Sequence, residues 1–395
     1  MKKFLIISLL IFTPSLTLAN DFKSIKKKST VTNPKIIFPV KTLDIKSCSN
    51  KMQLDPQNTK FVPIEFLDAP KGYGLDDRFH SVRSYFEKFS MPCANGNIEA
   101  CKKVKEVILI WAKADAPKRL KSGDLWNDTL TINLNINNPM MSAYSFARQL
   151  IEFTSEEEKL IEDWFIRTVK RGEHLMYGEK YGDRTGAKGV PMSAHNHALS
   201  SAISHMQLGI ILNDNKLFRK AFKNYEHAIR YQRKNGSLPI EVRRGGRAMF
   251  YQGRAMNELA VIAIIAEHQG YNIWEYDHKG KGKNFHNLVK FFIDFTENNE
   301  IVFKYAKEMK APGPAKDYKN QDLKIRRSSN WGWFYAYATR FPNHANIKRI
   351  EGWVKNPEGL NKYQLGFVRH YNNIGKRMFG DASWTVVEAN CHFLK

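Results

Sequence analysis

The residues best suited to chemistry lie in one stretch, residues 235–251, which reads NGSLPIEVRRGGRAMFY. It places Arg243, Arg244 and Arg247 within five positions, beside a pair of glycines and ahead of Tyr251. Guanidinium groups bind carboxylates through two parallel hydrogen bonds, and glycines let a ligand approach the backbone closely. The stretch therefore predicts either a binding site for an acidic group or a solvated basic turn ahead of a buried helix.

A second candidate segment, residues 193–197 (SAHNH), begins a predicted helix after a glycine-rich loop. Helix N-termini favour anionic or hydrogen-bonding ligands because their first N–H groups lack helical partners. His197 is a candidate general base, since the pKa of histidine lies near neutrality. His195 and His197 are two positions apart and point to different helix faces, which argues against a shared metal. Surface histidines beside a loop are the alternative interpretation.

The elements that would position these residues are helices. Apolar residues recur at intervals of three and four over most of the chain, and strand signals are confined to residues 130–135 and the last dozen residues. The helix at 247–268 contains AVIAIIA and is apolar all round, so we expect it to be an inner helix. The absence of strand–helix alternation and of a fixed repeat predicts an all-α fold, an α/α toroid or incomplete barrel of helical hairpins in a single large domain. The predicted helices are 77–89, 99–114, 138–153, 155–169, 192–213, 216–233, 247–268, 284–297, 300–309, 329–340 and 345–355.

The first 19 residues have the layout of a secretory signal peptide. Lys2 and Lys3 precede an apolar run that ends in small residues, and the run is shorter than the roughly 20 residues of a membrane span. An uncleaved anchor is the alternative. We therefore expect a signal peptide at 1–19, an extended, lysine-rich N-terminal arm at 20–60, and a helical domain at 61–395 in a periplasmic or secreted protein.

The net charge of the chain limits the classes of molecule that it is expected to bind. The formal net charge of +23 falls to +21 when the two lysines of the signal peptide are removed. In an exported protein, such an excess favours an acidic polysaccharide over nucleic acid. We expect no nucleic-acid partner, no membrane association after signal cleavage and a monomer.

Four cysteines predict two disulfides in an oxidising compartment, and their three possible pairings stay open. The cysteines are Cys48, Cys93, Cys101 and Cys391. None of them has metal-ligand spacing, so we expect no metal and no cofactor.

Two motifs resemble the alginate lyase family of polysaccharide lyases, which has a helical toroid fold. AHNHALSSA (194–202) resembles the Asn-Asn-His-x-Tyr-Trp motif of the family, and NGSLPIEVRRGGRAMFYQ (235–252) resembles its Gly-x-Leu-Pro-x-Glu-Leu segment, arginine-rich turn and tyrosine. Residues 99–116 and 331–343 are similar to an early and a late helix of the family. The resemblance covers roughly residues 60–345 and implies that 61–395 is a catalytic domain of this kind.

The resemblance implies a four-residue catalytic site for cleavage of a uronate-containing polysaccharide, such as alginate or polymannuronate, by β-elimination. Arg244 and Asn196 correspond to the residues that neutralise the C5 carboxylate. Tyr251 corresponds to the acid, and either His197 or Tyr251 is the base. Neutralising the carboxylate comes first because the C5 proton is barely acidic beside a negative charge.

Further residues are expected to bind substrate. Residues 71–74 (KGYG) resemble a flexible lid, with an ordinary surface loop as the alternative. The departures from the family pattern are His195 in place of the first Asn, and Leu199 and Ser200 in place of Tyr-Trp. The expected substrate-binding residues are His195, Arg243, Arg247, Lys71 and Tyr73.

Three other activities stay open on the sequence alone. They are a lyase for another uronan such as polyglucuronate, a polyuronate-binding protein without turnover, and a hydrolase for the same glycan. The aromatic residues Trp331, Trp333, Tyr335 and Tyr337 would either stack on sugar rings or form core, and their helical spacing favours core.

Overall fold

The computed structural model describes residues 22–40, 63–67, 80–120, 125–173, 187, 189–309, 316–323 and 331–374. These residues are mainly helical. The α-helices are α1 (Phe22–Lys28), α2 (His80–Ala94), α3 (Ile98–Ala114), α4 (Leu125–Ile132), α5 (Asn138–Leu150), α6 (Ser155–Arg171), α7 (Asn196–Leu212), α8 (Asn215–Tyr231), α9 (Ala248–His268), α10 (Phe285–Glu297), α11 (Glu300–Ala306), α12 (Gly332–Arg340), α13 (Ala345–Lys355) and α14 (Lys362–Tyr371). Shorter elements are a π-helical turn at Asn133–Asn137, 3₁₀ helices at Met192–Ala194 and His278–Gly280, and strands β1 (Phe66–Leu67) and β2 (Arg119–Leu120), which pair in parallel.

Two classes of helix alternate along the chain. In α7 every residue from Asn196 to Ile211 is buried, and α5, α9 and α12 are buried on nearly all sides. The helices that follow them, α6, α8, α10 and α13, bury one face only. Since α5 packs on α7, α7 on α9, and α9 on α12, the fully buried helices form an inner row. This arrangement confirms the predicted all-α toroid.

Side-chain caps set where several helices begin. Asn97 accepts from Ala100 N at the start of α3, and Asp214 accepts from Lys216 N and Leu217 N at the start of α8. Thr154 forms a capping box with Glu157 at the start of α6. Each cap satisfies backbone donors that have no partner inside the helix.

The strand predicted at residues 130–135 is wrong. These residues belong to α4 and to the π-helical turn that follows it. Alternating Thr, Leu and Ile favour strands locally. Here asparagine side chains form hydrogen bonds to groups one helical turn earlier. Asn133 Nδ2 donates to Thr129 O at 3.0 Å, and Asn137 Nδ2 donates to Asn133 Oδ1 at 3.0 Å. The other predicted strand, in the last dozen residues, lies outside the described residues.

The described part of the predicted N-terminal arm is not extended throughout. Residues 22–28 form α1, whose Phe22 ring stacks on Tyr276 with centroids 4.0 Å apart. Residues 29–40 have no regular structure and are held by side chains of other elements, since Gln269 Oε1 accepts from Thr32 N at 3.0 Å. The segment 22–40 is thus packed onto the helical body.

One predicted disulfide is present, between Cys93 and Cys101. Cys48 and Cys391, like the predicted signal peptide, lie outside the described residues. None of the helices in the described ranges has both the length and the apolar character needed to cross a membrane.

The core interpretation of the aromatic residues in α12 and just before it is confirmed. All four are at most 2% exposed and belong to the hydrophobic core. They are Trp331, Trp333, Tyr335 and Tyr337.

We predict that Gly209→Ala destabilises the fold by about 1–3 kcal/mol, the usual range for overpacking. A Cβ on Gly209, in α7, would lie 2.4 Å from Phe218 N and 2.9 Å from Asp214 O, so the backbones of α7 and α8 would have to separate. The matched control is Gly352→Ala in the exposed part of α13, where a Cβ would meet nothing within 4 Å. Because alanine is the better helix former, the control should gain roughly 0.5–1 kcal/mol. Urea denaturation measures both changes, and equal effects would contradict the close packing of α7 on α8.

Candidate active site

The two candidate motifs meet where the inner helices α7 and α9 begin. Asn196 is the first residue of α7, and Tyr251 lies in the first turn of α9. The segment between α8 and α9, residues 232–247, connects the outer helix to the start of α9 and carries Arg244. The candidate residues are therefore positioned by two helix starts and one buried connection.

Gln252 holds the beginning of this connection. Its Oε1 accepts from Leu238 N at 2.9 Å, and its Nε2 donates to Gly236 O at 3.2 Å. Gly236 has a φ of +86°, and a Cβ there would lie 2.0 Å from Asn287 O. The Asn-Gly turn therefore requires glycine at position 236, because of both its backbone conformation and the closeness of helix α10.

The glycine pair in the connection is held by backbone hydrogen bonds. Gly245 N donates to Ala306 O at 3.2 Å, and Gly246 O accepts from Asp322 N at 2.7 Å. Gly245 has a φ of +57°, a conformation that favours glycine. These glycines fix the turn that delivers Arg244 to the start of α9.

Arg244 contacts both halves of the candidate site. It is 2% exposed, and its guanidinium carbon lies 3.9 Å from the centroid of the Tyr251 ring. Its Nη2 is 2.6 Å from His195 Nε2, and its Nε is 3.3 Å from Glu241 Oε2. One guanidinium thus joins the tyrosine of α9 to the residue that precedes α7.

Asn196 is held by the same carboxylate. Asn196 N donates to Glu241 Oε1 at 3.0 Å, and Asn196 Nδ2 donates to Glu241 Oε2 at 2.9 Å. Both residues are fully buried. Burial raises the pKa of Glu241, and Arg244 and the two donors of Asn196 oppose that rise. These three contacts of the carboxylate all come from donors, which suits its ionised form.

His195 caps α7 and contacts Arg244 at the same time. Its Nδ1 accepts from His197 N at 3.1 Å, while its Nε2 faces Arg244. Burial, with the charges of Arg244 and Arg254, lowers the pKa of His195 well below its usual value. A neutral imidazole has one protonated nitrogen, and an arginine nitrogen can only donate. The capping contact and the arginine contact therefore compete for the single acceptor nitrogen of His195.

His197 is 7% exposed, and its ring centroid lies 4.7 Å from that of His195. Burial lowers the pKa of His197 well below its usual value, and His195, Arg254 and Arg244 add to the effect. The imidazole is consequently neutral near pH 7, as a general base must be before it accepts a proton.

The structure brings Asn196, His197, Arg244 and Tyr251 into one buried cluster. The residues expected to bind substrate are not all part of it. The Nε of Arg243 lies 3.1 Å from Glu308 Oε2. Arg247 is partly buried at the residue preceding α9, and residues 71–74, with Lys71 and Tyr73, lie outside the described residues. The positions that depart from the family motif are fully buried. Leu199 belongs to the hydrophobic core, and Ser200 O accepts from Asn138 Nδ2 at 3.2 Å.

Two residues of the cluster were not identified from the sequence. Glu241 lies three positions before Arg244, and an acid in the apolar run LPIEV was the available signal. Arg254 lies one helical turn after Tyr251 on α9, is 9% exposed and acts electrostatically on both histidines. The signal for Arg254 was a charged residue within an apolar helix, on the same helix face as the candidate Tyr251. In the described ranges, no three or more His, Cys, Asp or Glu side chains are grouped so that they could hold a metal ion.

A family model described as alginate lyase matches residues 95–303, which is just over half of the 395-residue chain. The chain belongs to the alginate lyase family. It is 24% identical over 265 residues to an alginate lyase of Pseudomonas aeruginosa, covering 65% of this chain and 63% of that protein. It is 29% identical over 171 residues to an alginate lyase of Pseudomonas syringae pv. syringae, covering 41% of each. The matches span less than two thirds of these relatives.

Solved structures of the alginate lyase family share the fold. A variant of alginate lyase A1-III complexed with tetrasaccharide matches with a TM-score of 0.70 at 17% identity, covering 94% of this chain and 98% of that one. Alginate lyase A1-III from Sphingomonas species A1 matches with a TM-score of 0.64 at 17% identity, covering 94% and 99%. The family resemblance and the toroid predicted from the sequence are thereby confirmed.

We predict that His195→Ala lowers the free energy of unfolding by about 0.5–2 kcal/mol, the usual cost of removing a helix cap. His195→Asn should lose less, because asparagine supplies a capping oxygen of its own. Chemical denaturation of the two variants beside the wild type measures the difference. Equal losses would show that the capping contact to His197 N does not stabilise α7.

We also predict that stability falls as the pH drops below about 6.5, the pKa of an unfolded histidine. The folded pKa of His197 is lowered, so in this range the unfolded chain binds a proton that the folded chain does not. A single such group contributes at most about 1.4 kcal/mol per pH unit. Urea denaturation between about pH 6.5 and 5.5 should give a shallower pH dependence for His197→Gln than for the wild type. Identical slopes would contradict a lowered pKa.

Proposed function

We propose that this chain is an exported polysaccharide lyase that cleaves a uronate-containing polysaccharide, such as alginate or polymannuronate, by β-elimination. The observation that supports it best is the position of Arg244, whose guanidinium lies against Tyr251 on α9 and against His195 at the start of α7. This contact supports the proposal because it joins a group able to bind a carboxylate to a group able to transfer a proton. Membership of the alginate lyase family and the basic composition agree with an acidic glycan as substrate.

The first requirement of the reaction is to neutralise the C5 carboxylate of the substrate. Arg244 and Asn196 carry this role in the proposal. Both are held by Glu241 in a buried environment, where preorganised donors stabilise developing charge more strongly than in water. The aci-carboxylate formed on loss of the C5 proton is the species that this arrangement favours.

The proton transfers are assigned to His197 and Tyr251. The base removes the C5 proton, the C5–H electron pair forms the C4–C5 double bond, and the C4–O4 bond breaks with its electron pair. Tyr251 gives the proton to O4, which leaves as a hydroxyl. His197 is neutral and able to accept a proton. Tyr251 can be the base instead where the proton and leaving group share one face of the sugar, since the guanidinium of Arg244 would stabilise a phenolate.

Export is part of the proposal because residues 1–19 have the layout of a signal peptide. A periplasmic or secreted location would give the enzyme access to a polysaccharide. The test is the N-terminal sequence of the protein recovered from outside the cytoplasm, which should begin near residue 20. An intact N-terminus in the cytoplasm would contradict export.

We predict that Tyr251→Phe lowers turnover about 10²–10⁴-fold, the usual contribution of a positioned acid or base. The assay is the rise in ultraviolet absorbance from the C4–C5 double bond, measured on alginate, polymannuronate, polyglucuronate and a glycosaminoglycan. The substrate that gives the largest rise with the wild type identifies the uronan.

The matched control is Tyr225→Phe. Tyr225 is fully buried in α8, and within the described part of the chain its hydroxyl has no hydrogen-bond partner, so its loss should leave turnover unchanged. If the folded wild type gives no absorbance rise on any of these polymers, the proposed lyase activity is overturned. Retention of a polymer without products would then indicate a binding protein, and products without ultraviolet absorbance would indicate a hydrolase.

A further inference from the structure

The geometry points to Glu241 as a positioning residue that fixes the amide orientation of Asn196 and the guanidinium of Arg244, so that the Asn196 Oδ1 atom accepts a hydrogen bond from an O–H group of the substrate. This inference rests on the lyase function proposed above. It assigns a role to a residue outside the four expected to be catalytic, and it states which chemical group of the sugar the asparagine oxygen contacts.

The contacts of Glu241 determine how Asn196 is oriented. A carboxylate only accepts hydrogen bonds, so the Asn196 atom at 2.9 Å from Glu241 Oε2 must be the amide nitrogen. The backbone donor of Asn196, at 3.0 Å from Glu241 Oε1, prevents the carboxylate from rotating away. The amide nitrogen has a second N–H, which the proposed mechanism assigns to the substrate carboxylate, and the side-chain oxygen is the remaining polar atom of the amide.

The Asn196 Oδ1 atom is a buried acceptor. Asn196 is fully buried, and no described residue supplies a hydrogen-bond donor to its Oδ1 atom. A buried acceptor without a donor costs about 1–3 kcal/mol, so such an atom in a candidate site is suited to a ligand. Its chemistry requires a donor. On a uronate, the available donors are a ring hydroxyl and the protonated form of the carboxyl group.

Glu241 also forms an ion pair with Arg244. Its Oε2 atom lies 3.3 Å from Arg244 Nε, while His195 lies 2.6 Å from Nη2. These contacts take two sides of the guanidinium, and the Tyr251 ring covers one face. A single carboxylate thus orients the two groups that the proposed mechanism uses to neutralise the substrate.

The decisive variant is Glu241→Gln, which preserves volume but replaces one acceptor oxygen by a donor. In either orientation of the new amide, its NH₂ group faces a donor of Asn196 or Arg244. We expect turnover to fall about 10- to 100-fold, as for loss of a hydrogen bond to a charged group. The loss should be greater in kcat than in KM, because the groups that Glu241 positions contact the bound substrate and act most strongly in the transition state.

The double variant separates positioning from a general loss of structure. In an Asn196→Ala background, the additional effect of Glu241→Gln should shrink by about tenfold, since residues in one hydrogen-bond network are not additive. Equal fold-losses in both backgrounds would overturn the positioning role. Glu241→Asp keeps the charge but withdraws the carboxylate by one methylene. It should fold like the wild type and lose an intermediate amount of kcat, and an unchanged kcat would also overturn the inference.

The matched control is Asp115→Asn. Asp115 is also a carboxylate that pairs with arginines, since it lies 2.8 Å from both Arg167 and Arg171. It joins the end of α3 to α6, outside the cluster. Its φ of +48° is one that asparagine tolerates. Turnover of this variant should remain within about twofold of the wild type, well inside the additive range of distant sites.

A binding measurement distinguishes failure of this inference from failure of the proposed function. Polymannuronate is titrated into the wild type and Glu241→Gln by calorimetry. If the wild type binds without cleaving, the lyase is overturned, and binding at least tenfold weaker in the variant still supports positioning by Glu241. If the wild type cleaves and the variant matches it, only the inference is overturned. If the wild type neither cleaves nor binds any of the uronans, both are overturned.

Discussion

The buried carboxylate of Glu241 is the constraint on which the cluster depends. It accepts hydrogen bonds from Asn196 at the start of α7 and forms an ion pair with Arg244, 48 positions further along the chain than Asn196. Removing a carboxylate from water costs several kcal/mol unless donors replace the solvent. Glu241 can therefore be buried only where these donors come together in the folded chain. The N-terminal end of α7 contributes as well, because a helix N-terminus favours negative charge. The helix start that the sequence suggested for a ligand is thus already occupied by an anion of the protein.

The inner helices explain how the described part of the cluster is held. Because α7 and α9 are buried on nearly all sides, neither can rotate or slide without opening the core. Gly209 allows α8 to approach α7, and Gln252 ties the connection before α9 to α9 itself. The distances between Asn196, Arg244 and Tyr251 are therefore a consequence of helix packing. Side chains on rigid elements of this kind are preorganised for electrostatic work.

The sequence predicted the features that depend on local pattern. The run AVIAIIA identified α9 as an inner helix, and motif spacing identified Asn196, His197, Arg244 and Tyr251, which the structure brings together. It did not predict what depends on partners distant along the chain. The Thr and Leu residues before Asn133 favour a strand locally, and only contacts between asparagine side chains and neighbouring helices make them helical. Nothing in the run LPIEV shows that its acid meets Asn196, 45 positions earlier.

The charges of the cluster bear on which ligand it can accept. Arg244 and Arg254 both act electrostatically on His195, His197 and Glu241. Interactions between these charges are stronger in a buried site than in water. Burial keeps both histidines neutral, and the two guanidinium groups add to this effect, because an imidazolium would be a further positive charge beside them. The guanidinium groups that disfavour an imidazolium at His197 also favour an incoming carboxylate, so binding of an acidic sugar is compatible with a neutral His197.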